Sequence, residues 1–162
     1  MHCSGDILIS VKPEYFGRMM SGIKTVELRR RPIRVPIGTT VWIYETVPSG
    51  RVGAMAEISA VEEDTPAEIW NRYGDRTGIS RQVFFSYFAG SKHGCALVFR
   101  QILPLRKPLA LASLRGTLGA FAAPQFYRKL KSNGPELRLF KRSVLGVPCA
   151  SSTDCYTQHL PP

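Results

Sequence analysis

The sequence predicts an α+β domain, a small mixed barrel or sheet with helices grouped at one side. Three observations carry that expectation. Short apolar or alternating runs recur near residues 7, 25, 40, 51 and 95. Stretches with helical spacing and proline or capping signals separate them. The resulting order is strand, helix, strand, hairpin, two helices, strand, then a basic extension, with no internal repeat and no interior linker.

Ile7 to Val11 is a short apolar run and a candidate buried strand. Lys12-Pro13-Glu14 then opens a helix, because proline's missing N–H would be unpaired in a first turn anyway. Phe16, Met19 and Met20 stand at i, i+3 and i+4 and share a face. Gly22 ends this helix by accepting a positive φ. From Thr25 to Arg31 the pattern changes to period two. Val26 and Leu28 point one way, and Thr25, Glu27, Arg29 and Arg31 point the other. Thr40 to Thr46, rich in β-branched and aromatic residues, and Arg51 to Val61 are the arms of a hairpin around Pro48-Ser49-Gly50.

Thr65-Pro66-Ala67-Glu68 has the form of a capping box with proline in the first turn. The helix that follows carries Ile69 and Trp70 and stops near Gly74. A second helix starts after Ser80, with Val83, Phe84, Tyr87 and Phe88 as its apolar face. Cys95 to Leu103 reads as a strand, with Pro104 and Pro108 marking its exit. Residues 109–120 give no clear pattern. Pro124 to Lys131 reads as a short basic helix. Residues 1–131 are expected to form the domain. Residues 132–162 are expected to be a basic, then polar, C-terminal extension, poorly ordered or laid over the surface.

Composition narrows the function classes. Apolar residues make up 44% of the 162, enough for a sizeable core. No run approaches the roughly 18 apolar residues that span a bilayer, so no membrane partner is expected. The start, MHCSGDILISV, has no basic region ahead of an apolar stretch and does not read as a secretory signal, which points to a cytoplasmic address. Cys3, Cys95, Cys149 and Cys155 form no CxxC pair, and there are only three histidines, His2, His93 and His159. No metal site and no cofactor are expected, and the thiols read as reduced and incidental. No GxSxG, phosphate-binding loop, HExxH or dinucleotide fingerprint occurs.

Charge is unevenly spread. The formal net charge is +10. From Arg100 to Arg142 the only acid is Glu136, while Arg106, Lys107, Arg128, Lys129 and Lys131 are among the cations. That asymmetry favours a phosphate-rich partner, with these five residues and Arg31 as candidate phosphate contacts. A basic protein with no nucleic-acid role is the alternative.

The densest chemistry lies in SGIKTVELRRRP, residues 21–32. Lysine supplies a base or a point charge for phosphate, glutamate a proton partner, and arginine a planar grip on phosphate or a base edge. Lys24, Glu27 and Arg29 are therefore candidate ligand-binding residues, with Lys24 and Glu27 the catalytic pair of any enzyme built here. An exposed strand of alternating charge is the competing reading. Trp42, Tyr44, Phe126 and Tyr127 are possible stacking surfaces for bases, though Trp42 reads better as core. Tyr44 and Gln125 join the candidate ligand-binding set.

Two stretches, ILISVKPEYFGRMMSGIKTVELRRR and TTVWIYETVPSGRVGAMAEI, resemble an ASCH domain of the PUA-like group. IW…GIS…FFSYFAG and APQFYRKL also resemble one subgroup. The similarity covers roughly residues 7–131, and its most specific part is GxKxxExR at Gly22, Lys24, Glu27 and Arg29. The resemblance implies a PUA-like β-barrel with helices flanking a cleft, and recognition of RNA or a modified nucleotide. One branch resembles amidohydrolases that deacylate acetylcytidine with a lysine, a threonine and a glutamate; another is a ribonuclease. Lys24 matches the lysine of the first branch. Its threonine falls at Glu27, a departure from that branch, and Thr25 is not the equivalent position. The expectation is RNA or modified-nucleotide binding in a charged cleft. The alternative is a metal-independent hydrolase, a ribonuclease or a modified-nucleoside amidohydrolase, using Lys24 and Glu27.

Overall fold

The computed structural model describes residues 5–145. The elements are β1 (Ile7–Val11), α1 (Pro13–Met20), β2 (Val26–Arg29), β3 (Thr40–Glu45), β4 (Arg51–Asp64), α2 (Pro66–Tyr73), a 3-10 turn (Gly74–Arg76), α3 (Arg81–Tyr87), β5 (Gly94–Ala110), α4 (Leu111–Leu118), β6 (Tyr127–Lys129) and α5 (Pro135–Leu145). The described strands form one sheet in the order β2-β5-β4-β3-β1-β6. β1 and β3 run parallel, and every other neighbouring pair is antiparallel. The sheet curls into a half-barrel with helices on its flanks, the expected α+β class.

Local signals place the first helices. Lys12 stands at the start of α1, its carbonyl accepting from Phe16 N at 2.9 Å, proline occupies the first turn, and Phe16 and Met19 are buried beneath the helix. Gly22 then takes a φ of 79°, a left-handed conformation that glycine adopts without steric cost. The Thr65 and Ser80 hydroxyls accept hydrogen bonds from the Glu68 and Val83 amides, capping α2 and α3; such caps contribute about 1 kcal/mol each.

Three core clusters divide the faces of the sheet. The first joins Ile7, Ile9 and Val11 to Phe16, Ile43 and Leu97. The second lies on the other face of β1 and β3, where Leu8, Trp42 and Tyr44 meet Leu114, Leu137 and Phe140. The third packs Val26 and Leu28 against Ile69, Phe84 and Phe88 of the helices.

Two readings need correction. β5 does not end at Pro104 but runs to Ala110 through both prolines. β2 pairs with β5 only from Cys95 to Val98, so the later half of β5 has one edge without a ladder partner. Its register against β4 also slips between the Val52–Leu109 and Ala54–Pro104 pairs. Proline, lacking an N–H, is tolerated at such an edge or bulge. Residues 124–131 do not form a basic helix either. Tyr127–Lys129 pair antiparallel with Ile9–Ile7, because the outer edge of β1 offers backbone partners that outweigh a weak helical preference. Residues 109–120, which had no clear pattern, complete β5 and form α4.

Cys95 is buried with a free thiol, and burial pushes its pKa upward. Cys3, Cys149, Cys155, His2 and His159 lie outside the described residues, as do residues 146–162 of the basic and polar extension. Among the described residues, no helix is long and apolar enough to cross a membrane.

Phe140 is fully buried, with its ring 5.3 Å from that of Trp42. Phe140→Ala is expected to lower stability by about 3–5 kcal/mol, measurable as a fall in the urea midpoint. A change below 1 kcal/mol would show that α5 is not part of the folded unit.

Candidate functional site

β2 is four residues long and makes its sheet contacts with β5 alone. Glu27 stands opposite Leu97 and Arg29 opposite Cys95, while Val26 and Leu28 stand opposite Val98 and Ala96. The pleat therefore sends Val26 and Leu28 into the third cluster and turns Glu27 and Arg29 toward the rim of the first. There the curled sheet stays open: β2 is one of its edges, and at the other β6 pairs with β1 only over Ile7–Ile9, so the end of β1 at Ser10 and Val11 faces β2 without backbone pairing.

A cleft of about 250 Å³ opens at this seam. Ser10 and Lys12 border it at the end of β1, Tyr15 from α1, and Val83 and Tyr87 from α3. Lys24, Glu27 and Arg29 form its polar wall. The Lys24 ammonium lies 3.1 Å from Glu27 Oε2, and Arg29 Nη2 lies 3.0 Å from Glu27 Oε1. The side chains of Lys24, Glu27 and Arg29 are only 4%, 11% and 12% exposed. This is a buried cation–carboxylate–cation cluster and not the solvated alternating-charge strand that was the competing reading.

The donor inventory is informative. Lys24 Nζ donates to Val26 O at 2.7 Å and to Thr77 O at 3.2 Å, and its charge is paired with Glu27 at 3.1 Å. An ammonium has three donors, and two of these are spent on backbone carbonyls. The longer of the two bonds, to Thr77 O, is the one most readily exchanged for a ligand. Arg29 Nη2 also donates to Ser10 O at 3.2 Å, crossing the seam. Arg29 Nε is the one buried side-chain polar atom without a partner among the described residues. Glu27 has each carboxylate oxygen bound by one cation and keeps further lone pairs for a ligand.

A loop between α2 and α3 holds Lys24 in place. Thr25 N donates to Arg76 O at 2.9 Å, Arg76 Nε to Thr25 Oγ1 at 3.0 Å, and Arg18 Nη1 to Gly78 O at 2.5 Å. Gly78 has a φ of +70°, and a Cβ there would stand 2.9 Å from Lys24 Cβ. Glycine is required both by its backbone and by this close approach.

Burial raises the pKa of both tyrosines at the cleft; Glu14 adds to the effect at Tyr15. The Tyr87 hydroxyl donates to Leu28 O at 3.3 Å, and the Arg30 guanidinium lies 4.9 Å from the centre of the Tyr87 ring.

Comparison with known proteins places this architecture. Residues 6–120 match the profile of a family described as Domain of unknown function (DUF365). An ASCH domain-containing ribonuclease from Zymomonas mobilis is 33% identical over 120 residues, spanning 74% of this chain and 80% of that protein. The chain belongs to the ASCH domain family. The crystal structure of ASCH from Zymomonas mobilis superposes with a TM-score of 0.78 at 30% identity, covering 85% of this chain and 94% of that one. An NMR structure from Rhodopseudomonas palustris shares the fold at a TM-score of 0.53 and 12% identity, over 93% of this chain and 99% of that one.

In this ASCH domain the structure brings Lys24, Glu27 and Arg29 together in the cleft and leaves other candidates outside it. Tyr44 is buried in the second cluster, its ring 5.7 Å from Phe121. Alternation along β3 puts Val41 and Ile43 on one face and Trp42 and Tyr44 on the other. Gln125 is exposed and does not line the cleft, although its neighbour Pro124 accepts a 2.7 Å bond from Ser10 Oγ. Arg31 lies beyond the end of β2 and is exposed. Arg106 and Lys107 on β5, and Lys129 and Lys131 in and after β6, are exposed and do not line the cleft, and Arg128 is bonded through both Nη atoms to Glu136. His93 is an exposed loop residue. Sequence reasoning missed Tyr15, Tyr87, Thr77 and Gly78. The glycine of the GIS segment was the only signal for this loop, and nothing in its spacing linked it to Lys24.

Two outcomes test this geometry. Glu27→Ala leaves Lys24 and Arg29 buried without their shared counter-ion, and is expected to cost about 3–5 kcal/mol in chemical denaturation; a loss below 1 kcal/mol would mean the cations are solvated. Tyr87 keeps its proton in the folded state above pH 10, where the unfolded phenol has lost it. Folding stability is therefore fully present below pH 10 and is lost as pH rises through the folded pKa. Tyr87→Phe is expected to flatten that alkaline decline, followed by thermal melts between pH 8 and 11.

Proposed function

We propose that this ASCH domain binds RNA, taking one nucleotide of a single strand into the cleft at the seam. The observation that carries this reading is the Glu27 carboxylate clamped between Lys24 and Arg29 beside two tyrosines. It receives further support from the ribonuclease relative that is 33% identical over most of the domain. Tyr15 and Tyr87 offer aromatic faces to a base, a sequence-tolerant contact. The spare lone pairs of Glu27 accept from the amino group of a base edge, as carboxylates do with cytosine N4. Arg29 Nε, a buried donor with no partner, gains most from a ligand or water acceptor that reaches it. Lys12, exposed at the mouth, suits the phosphate. A modified base satisfies the same groups.

A second reading is cleavage, favoured by the 3.1 Å Lys24–Glu27 contact, a donor and an acceptor of protons side by side. Glu27 would take the proton of the ribose 2′-hydroxyl as that oxygen attacks phosphorus. The P–O5′ bond breaks, and Lys24, released from Thr77 O, gives its proton to the departing 5′ oxygen. The products are a 2′,3′-cyclic phosphate and a free 5′-hydroxyl.

The test incubates the full chain, Lys24→Met and Tyr15→Ala with end-labelled single-stranded RNA, read on native and denaturing gels. Wild type is expected to shift the RNA. Loss of the Tyr15 ring is expected to weaken binding about tenfold, within the range of stacking contributions. An absent wild-type shift rejects RNA as the ligand, and unchanged affinity in both variants rejects the cleft. Cut RNA with wild type and intact RNA with Lys24→Met supports the second reading; intact RNA throughout rejects it.

A further inference from the structure

Some exposed cations of this chain have acidic partners, and others, Arg31, Arg34, Arg81 and Lys92 among them, have none among the described residues. On the β4–α2 side they are neutralised: Arg72 pairs with Glu62 and Asp64, Arg100 with Glu57, and Arg51 with Glu45. On the C-terminal side they are not. Among the described residues, Arg106, Lys107, Lys129 and Lys131 are exposed and stand in no ion pair. The one acid of that half, Glu136, is occupied by both Nη atoms of Arg128. That fork ties β6 to the first turn of α5, which makes Arg128 a structural clamp and not a free phosphate contact.

α5 supplies what the clamp withholds. Leu137 and Phe140 are buried in the second cluster, while Arg138, Lys141 and Arg142 are exposed at positions spaced by three and four. They share one face of the helix. The helix packs on β5, whose Leu105 joins the same cluster just before Arg106 and Lys107. Below α5, Leu130 N donates to Asp6 O, which anchors the chain between Lys129 and Lys131 beside β1. Asp6 borders the same pocket as Lys141, but its Oδ2 accepts from Trp42 Nε1, and among the described residues none of these exposed cations stands in an ion pair. A polyanion supplies such pairs, and every phosphate it brings to a cation releases counter-ions. The matched profile ends at residue 120, before α5.

We propose that α5, with the adjoining stretches of β5 and β6, forms a phosphate-binding face that holds the backbone of a single RNA strand outside the cleft. This rests on the RNA reading above and extends it. The cleft takes one nucleotide, and the basic face grips the strand without reading its sequence.

The experiment measures the affinity of the full chain for a labelled single-stranded RNA across a range of salt concentrations. Wild type is compared with the triple variant Arg138→Gln, Lys141→Gln, Arg142→Gln, with Arg106→Gln plus Lys107→Gln, and with Tyr15→Ala. The glutamines replace exposed groups, and a thermal melt confirms that each variant is folded. The log–log salt slope of the triple variant is expected to be shallower by about 2, at roughly 0.7 for each phosphate no longer neutralised. That of the β5 pair is expected to be shallower by about 1.4. Tyr15→Ala is expected to weaken binding at an unchanged slope. Wild-type slopes in both charge variants overturn the face while leaving RNA binding in the cleft intact. Reduced slopes with no effect of Tyr15→Ala support the face and overturn the cleft reading alone. No RNA binding by wild type overturns both; binding instead to vesicles rich in anionic phospholipid would reassign the face to a membrane surface.

Discussion

The sheet of this protein curls but does not close, and the seam between β2 and the end of β1 that β6 leaves uncovered governs what the molecule can do. A closed barrel would join those strands by backbone hydrogen bonds. Here side chains span the gap. Arg29 reaches Ser10 O, Glu27 holds Arg29 and Lys24, and Lys24 ties the entrance of β2 to the loop at Thr77. Three charged groups are tolerated at such low exposure because each finds a partner of opposite charge or a carbonyl. An unpaired charge there would be expelled toward water or neutralised. The same absence of backbone pairing leaves room for a cleft, so closure and binding compete for the same place.

β5 makes the seam possible. Its 17 residues run the whole length of β4, but only its first part carries β2. Cys95, Leu97 and Phe99 enter the first cluster, Ala96 and Val98 the third, and Leu105 the second. One strand thus links all three clusters. The slips in its register re-aim the later residues from the inner core toward α4 and α5, as bulges do where a strand bends. Because β2 is so short, its position is set by β5 on one edge and by the charged cluster on the other.

The chemistry of the cleft follows from which donors are already engaged as much as from composition. A lysine in a pocket suggests a free ammonium ready for phosphate, yet two Lys24 donors are held by backbone carbonyls and its charge is paired with Glu27. The groups with unused capacity are the Glu27 lone pairs and Arg29 Nε. That pattern favours a ligand with both donor and acceptor edges, such as a nucleobase, over a bare phosphate. In the proposed reading, the phosphates fall to the exposed cations of α5, β5 and β6 that lack counter-ions among the described residues.

Much of this was legible locally. Proline after Lys12, Thr65 with Glu68 and the glycine at position 22 each specify a backbone conformation through neighbours within a few residues. The alternation of VELR places Glu27 and Arg29 on one face whatever surrounds them. The extent of β5 and the pairing of residues 127–129 were not legible, because a proline or a basic run is read against whichever edge is free, and edges are set by distant strands. Tyr44 shows the same limit: alternation separated the faces of β3 without saying which face meets the core helices. The sequence by itself determined the α+β class, the early helices and the Lys24, Glu27, Arg29 triad. Only the tertiary structure decided that Tyr15, Tyr87, Thr77 and Gly78 complete the cleft, because its walls join residues more than fifty positions apart, and no local spacing encodes a contact made by folding.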